Sequence, residues 1–314
     1  MQRFRNILVK ASPDADMTQL MQTAEGLAAA NHARVTVFDV VPPLRARRPG
    51  SLGGYRPGHL QQLIEKDRRS ELEEIAGMAP SVPVEVALAA GTPFIEVIRR
   101  VQSHGHDLVI ISPDQPAGLA GLARASTTMH LLRKCPVPVW VFRPEVPADG
   151  DVLTAIGPFV DESPSPLDAK LVELGRSLAQ RQGSGFHIVH GWRLDGESLL
   201  RNGRVRMRAG DVDALVRQEE LVARDAIAKL LAATGTPEDE VNLHIRKARP
   251  IDAIADAVAT IDPGVVVMGT LARSGVAGLL MGNTAETTLG SLRSSIIAVK
   301  PDGFLSPVTA GAAP

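Results

Sequence analysis

Two neighbouring segments, Gly264 to Gly275 and Gly282 to Glu286, carry the arrangement best suited to chemistry in this chain. Val265, Val266, Val267 and Met268 form an apolar run, mostly β-branched, that predicts a strand buried on both faces. Gly269 lets the backbone turn tightly where that strand ends. After a loop, Gly282 and Asn283 open an amphipathic segment that reads as a helix, with Asn283 placed to cap it and Glu286 placed to close a capping box. A strand, a glycine-rich loop and a helix N-terminus leave N–H groups pointing one way with the positive end of the helix dipole behind them, which suits a phosphate. A tight turn and a helix cap use the same residues with no ligand, so the residues alone leave both uses open.

Other candidates are weaker. His187 and His190 have the look of a metal pair, but residues three apart on a strand point to opposite faces, and packing or a backbone hydrogen bond is the expected role. His104 and His106 sit in a polar turn and read as solvated. Cys135 lies beside Lys134, which favours thiolate, yet a lone cysteine reads first as structural. The arginine-rich loops Arg45 to Arg56 and Arg201 to Arg208 offer positive charge to anionic ligands at the cleft mouths, or form plain solvated surface. No Gly-x-Ser-x-Gly elbow, Walker loop, His-Glu-x2-His or cysteine cluster is present, so no catalytic constellation and no metal site is expected.

These segments need a scaffold, and the rest of the chain supplies a repeating one. Ile7 to Val9, Val35 to Val41, Val84 to Leu88 and Leu108 to Ile111 read as strands. Between them lie helical patterns, among them Met17, Leu20, Met21, Ala24, Leu27 and Ala28 on one face, Leu60 to Ala76, and Pro93 to Val101 with Thr92 as its cap. The second half repeats the order: Val152 to Ile156 as strand, a helix from Ser165 and Pro166 bearing Leu167, Leu171, Leu174 and Leu178, Phe186 to Gly191 as strand, and a helix from Val212 to Ala233. An offset of 157 carries Gly269 to Ser112, Pro250 to Pro93 and Lys300 to Arg143, which indicates a duplicated domain. The expectation is α/β: two tandem doubly wound, Rossmann-like domains, each with a five-stranded, mostly parallel sheet, over 1–145 and 151–302, then a flexible tail at 303–314.

Composition agrees. The 314 residues suffice for two ordinary domains, and 44% hydrophobic with 22% charged residues is the balance of a globular protein. Aromatics at 3% and a net charge of −1 argue against a nucleic-acid surface. No apolar run approaches the roughly 20 residues of a membrane span. The chain starts without a secretory pattern and has one cysteine, so a cytoplasmic setting is expected.

Gly269, Ala272, Gly282 and Asn283 follow a Gly-x2-Gly-x9-Gly-Ser/Thr spacing with Ala272 and Asn283 as departures, and Ile296 to Pro301 forms a closing strand. In these features the chain resembles the universal stress proteins, in particular the tandem E type. The resemblance implies a non-catalytic stress-response protein that binds ATP or ADP in its C-terminal domain, with Gly269, Ala272, Gly282, Asn283 and Thr284 about the phosphates, Arg273 adding positive charge and Met268 also in the cofactor site. It places Ile156, Gly157 and Gly191 near adenine and ribose; the family's first-strand Asp is Gly157 here, with Asp161 as a substitute from the next loop. The N-terminal copy has Ser112, Gln115, Ala125 and Ser126 at the loop positions and is expected not to hold ATP. The two domains are expected to pair as a pseudo-dimer through their last strands, with an unknown protein as further partner. The alternatives are a scaffold or binder of another metabolite or lipid-like ligand without nucleotide, and a weak ATPase.

Overall fold

The computed structural model describes residues 4–13, 15–44, 57–113, 127–147, 149–159, 163–203, 207–270 and 292–309. The chain divides into two compact units, residues 1–145 with 303–314, and residues 146–302.

The first unit runs β1 (Asn6–Lys10), α1 (Thr18–Asn31), β2 (Arg34–Val41), α2 (Pro57–Ala76), β3 (Val84–Ala90), α3 (Pro93–His104), β4 (Leu108–Ile111), α4 (Thr127–Lys134) and β5 (Val139–Val141). Its strand order is β3-β2-β1-β4-β5, with the β1–β2, β1–β4, β2–β3 and β4–β5 ladders parallel. Ile7, Leu8 and Val9 of the central strand are fully buried, which is why the run reads as apolar without alternation. All six residues expected on the inner face of the first helical segment are buried, and α1 stops at His32, whose φ of 52° is left-handed. Thr92 stands at the start of α3, but its side chain accepts no helix N–H; Pro93 at the first position carries the start instead.

The second unit runs β6 (Val152–Ala155), α5 (Pro166–Gln182), β7 (Phe186–Trp192), α6 (Glu197–Asn202), α7 (Ala209–Ala233), a 3-10 turn (Glu238–Glu240), β8 (Asn242–Lys247), α8 (Pro250–Ile261), β9 (Val265–Gly269) and β10 (Ser295–Val299). Its strand order is β8-β7-β6-β9-β10, again parallel throughout. Chain order therefore reverses between β6 and β9, the switch point at which doubly wound sheets open a crevice beyond the carboxyl ends of their strands.

The ladders test the duplication residue by residue. Ile7 pairs with Val35 and Leu108, and Val152 pairs with Phe186 and Val265, so β4 and β9 are related by the expected offset. The offset also holds for β3 against β8 and for β5 against β10, as in Thr36–Glu85 against His187–Asn242. It does not extend to the first two strands of each half, because the intervening loops differ in length. The segment from Gly303, expected as a flexible tail, groups with the first unit, where Gln102 Nε2 donates to the Val308 carbonyl at 3.1 Å. Hydrophobic periodicity has no means of reporting an irregular segment held through its backbone.

Candidate functional site

The second unit opens a cavity of ≈ 490 Å³ at the carboxyl ends of β6, β7 and β8, within the range of small-ligand sites. Pro158 and Phe159 follow β6, His190 to Arg193 end β7, Ala248 to Pro250 join β8 to α8, and Glu219, Val222 and Ala223 come from α7. Close backbone packing shapes it: a side chain on Gly191 would stand 2.9 Å from Pro250 Cα, so the turn into α8 approaches β7 only because that position has none.

α5 sets the turn after β6. Ser165 accepts from Asp168 N at 3.2 Å while the Asp168 carboxylate accepts from Ser165 N and Oγ, each at 2.7 Å, a reciprocal cap on the first turn. The buried Asp168 also accepts from Gly157 N at 2.9 Å. This helix cap thus fixes the backbone where the cavity begins. Gly157 is left-handed, with φ 77°, and a side chain there would lie 2.8 Å from the His190 ring.

His190 is 3% exposed and stacks on Phe159, with ring centroids 4.4 Å apart and planes 13° from parallel. Its Nδ1 lies 3.2 Å from the Ile156 carbonyl, which can only accept, so Nδ1 carries the proton. Burial holds the imidazole below its ordinary pKa and therefore neutral near pH 7. Nε2 is left as a lone-pair acceptor. The rim bears two exposed cations: Arg193 Nε lies 3.1 Å from Asp195, and Arg249 Nε lies 2.6 Å from Asp252.

The residues named from sequence are distributed unevenly. Gly191 lines the cavity, the Ile156 carbonyl holds His190, and Gly157 makes the turn between them. Met268 is buried in β9, and Gly269 ends it against Leu167, whose Cδ2 would stand 3.0 Å from an added side chain. Lys300 Nζ donates to Thr270 Oγ1 at 2.5 Å, both residues being buried. Ala272, Arg273, Gly282, Asn283 and Thr284 lie outside the described residues, as do Asp161, Gln115, Ala125 and Ser126.

The remaining candidates have other occupations. His187 and His190 do not converge: His187 Nδ1 lies 3.0 Å from His244 Nε2, and its Nε2 lies 3.1 Å from Asp151 Oδ2. Among the described residues, no group of three or more His, Cys, Asp or Glu is placed to hold a metal ion. Arg201, expected in a loop, lies on the short helix α6 and is paired with Glu197 and Asp213. His106 is buried, not solvated, and shares a hydrogen bond of 3.1 Å with Thr36 Oγ1, because its turn folds under β2. Cys135 is fully buried, and Lys134 lies over the Phe94 ring, 4.7 Å from its centroid.

The universal stress protein family model matches residues 3–143 and again 155–300. The chain belongs to the universal stress protein family. It carries two family domains in tandem, and its likeness to universal stress protein E of Escherichia coli K12 runs end to end, at 26% identity over 315 residues, 98% of each chain. A homologue of that protein from Haemophilus influenzae is 24% identical over 319 residues, covering 95% of this chain and 98% of the relative. A crystal structure of a functionally unknown Pseudomonas aeruginosa protein shares the fold, with a TM-score of 0.67, 23% identity and coverage of 96% of this chain and 94% of that one. A universal stress protein from Archaeoglobus fulgidus matches with a TM-score of 0.66 at 17% identity, over 96% and 98% of the two chains. Membership establishes a stress-response protein built from two tandem α/β domains.

The tandem domains are not equally equipped. Counting along the ladders, Asp39 of the first unit occupies the position of His190 in the second. Instead of a stacked imidazole, that position holds a carboxylate 3.2 Å from Lys10 Nζ and 2.6 Å from Arg68 Nε, with Arg68 also paired to Glu71. Phe159, Asp168, Glu219 and Arg249 were not singled out from sequence. A signal existed for Asp168 alone: Ser165 three residues before an acid is the capping-box spacing.

Proposed function

We propose that this stress-response protein binds an adenine nucleotide, ATP or ADP, in its second domain (151–302) and does not turn it over. The observation that carries the reading is the cavity beyond β6, β7 and β8, beside the switch point and walled by the stacked Phe159 and His190. Ile156, Gly157 and Gly191 then stand at the base and ribose, and the chain from Met268 and Gly269 through Ala272, Arg273, Gly282, Asn283 and Thr284 wraps the phosphates. Three charged groups about the crevice already have partners: Asp168 holds Ser165 and Gly157, and the two rim arginines hold Asp195 and Asp252. That supports binding over hydrolysis.

The first domain (1–145) is read as the copy that has lost the ligand, its crevice position taken by the Lys10–Asp39–Arg68 ion pairs. We also infer a pseudo-dimer in which β5 and β10, the last strands in the order of their respective sheets, pair with one another, which would satisfy backbone groups that invite aggregation when left open. Among the described residues no helix is long and apolar enough to cross a membrane. The buried lone cysteine calls for no oxidising compartment, which supports a cytoplasmic setting.

Native mass spectrometry of the freshly purified chain, followed by denaturation, tests the reading. A single ATP or ADP released per chain is expected. Gly282→Trp should remove nucleotide binding while leaving the circular dichroism spectrum unchanged, because a bulky side chain fills the space for a phosphate. Undiminished affinity in that variant, or no nucleotide on the wild type after ATP is added, overturns it.

A further inference from the structure

We infer that His190 makes the second-domain site selective for a 6-amino purine over a 6-oxo purine, its Nε2 accepting a hydrogen bond from the exocyclic amine. The inference rests on the nucleotide reading above and adds which base the crevice chooses, and by which atom.

The argument begins with the tautomer. The Ile156 carbonyl sits 3.2 Å from Nδ1 and offers only lone pairs, so the single proton of the neutral ring is committed there. The ring has no freedom to exchange its two edges: Phe159 stacks on one face, and the Gly157 turn lies against Nδ1 and Cε1 at distances a methyl group could not enter. Asp168 holds that turn in place through Gly157 N at 2.9 Å. Nε2 makes no hydrogen bond among the described residues, on a side chain that lines the cavity and is 3% exposed. Nε2 is thus the ring atom free to accept from a ligand that enters the cavity. Glu219, the carboxylate on the facing helix α7, adds a second acceptor to the same wall.

A ligand is therefore selected for the donor it brings. The 6-amino group of adenine donates; the 6-oxo group of hypoxanthine sets a lone pair against the lone pair of Nε2. A site that accepts a hydrogen bond from its ligand disfavours an analogue that sets a lone pair there instead. One neutral hydrogen bond gained against one refused corresponds to about a tenfold ratio of dissociation constants. The first domain has no equivalent, since Asp39 at the matching position is committed to Lys10 and Arg68.

The test is calorimetric titration of the full chain with ATP, inosine triphosphate and N6,N6-dimethyl-ATP. The wild type should bind ATP about tenfold more tightly than either analogue, since one has no amine and the other no N–H on it. His190→Phe keeps a ring for the stack and removes the acceptor, so the three ligands should converge to within about twofold. Because that variant can also disturb packing, its fold is checked by near-ultraviolet circular dichroism, and the analogue ratio on the wild type decides the matter if it misfolds. ATP and inosine triphosphate binding equally well to the wild type, or a His190→Phe variant that retains the full preference, overturns the selectivity while leaving the nucleotide reading intact. Failure of all three to bind overturns both.

Discussion

At the scale of single residues, the histidines depart furthest from a surface reading, and two of them should govern the acid response. His106 is 4% exposed and its pKa is pushed down to about 4, chiefly by burial. Its folded value lies below the unfolded one, so the unfolded chain takes up the proton first as pH falls. Stability is therefore fully present above about pH 6.5 and is lost as pH drops toward 4, by on the order of 3 kcal/mol for this residue alone. His190 shifts in the same direction, also chiefly through burial, and adds to the loss. Urea unfolding at pH 7.5, 6 and 4.5 should give midpoints that fall steeply across this window, and His106→Gln should flatten the curve. An unchanged slope in the variant would assign the acid sensitivity elsewhere. Gly157 makes the complementary point: nothing in its own neighbourhood of sequence says that a histidine 33 positions later will lie against it.

At the scale of elements, α5 is where local sequence and function meet. Ser165 and Asp168 cap its N-terminus, and the same carboxylate reaches across to Gly157 N. Ser165→Ala should cost about 1 kcal/mol of stability, as lost caps do. It should also weaken ATP binding, because Asp168 loses the hydroxyl that orients it toward the turn. Ser165→Thr should restore both, and paired urea and ATP titrations would show whether the two losses travel together. This helix was legible in advance because a capping spacing precedes an apolar stripe, in which Leu171, Leu174 and Leu178 are indeed buried. The central strands were legible for a similar reason, as short apolar runs buried on both faces. Helix α6 was not, being only six residues with no buried position, too short for a periodic signal. The cavity wall was half legible. Glycines announce themselves by type, but the partner of His190 lies 34 positions away, a distance over which only the parallel ladder of β6 and β7 brings residues together.

At the scale of the whole molecule, duplication followed by divergence has left two crevices with opposite electrostatic solutions. In the second unit the crevice position carries a neutral imidazole with an open lone pair. In the first it carries a carboxylate neutralised by two cations, with side-chain exposures of 5% for Asp39, 14% for Lys10 and 9% for Arg68. A buried ion pair of this kind resists the loss of either partner, since the remaining charge would be left uncompensated. A ligand entering the first crevice would have to displace that network. Hydrogen exchange of the intact chain with and without saturating ATP should therefore be asymmetric. Amides at 156, 157, 159, 190–193, 248 and 249 should slow, because a ligand that binds only the folded state raises the free energy of local opening. Amides at 11–12 and 39–41, the equivalent stretches of the first unit, should keep their rates. Equal slowing in both sets would mean that ATP enters the first crevice despite its ion pairs, and would remove the basis for assigning the ligand to the second domain alone.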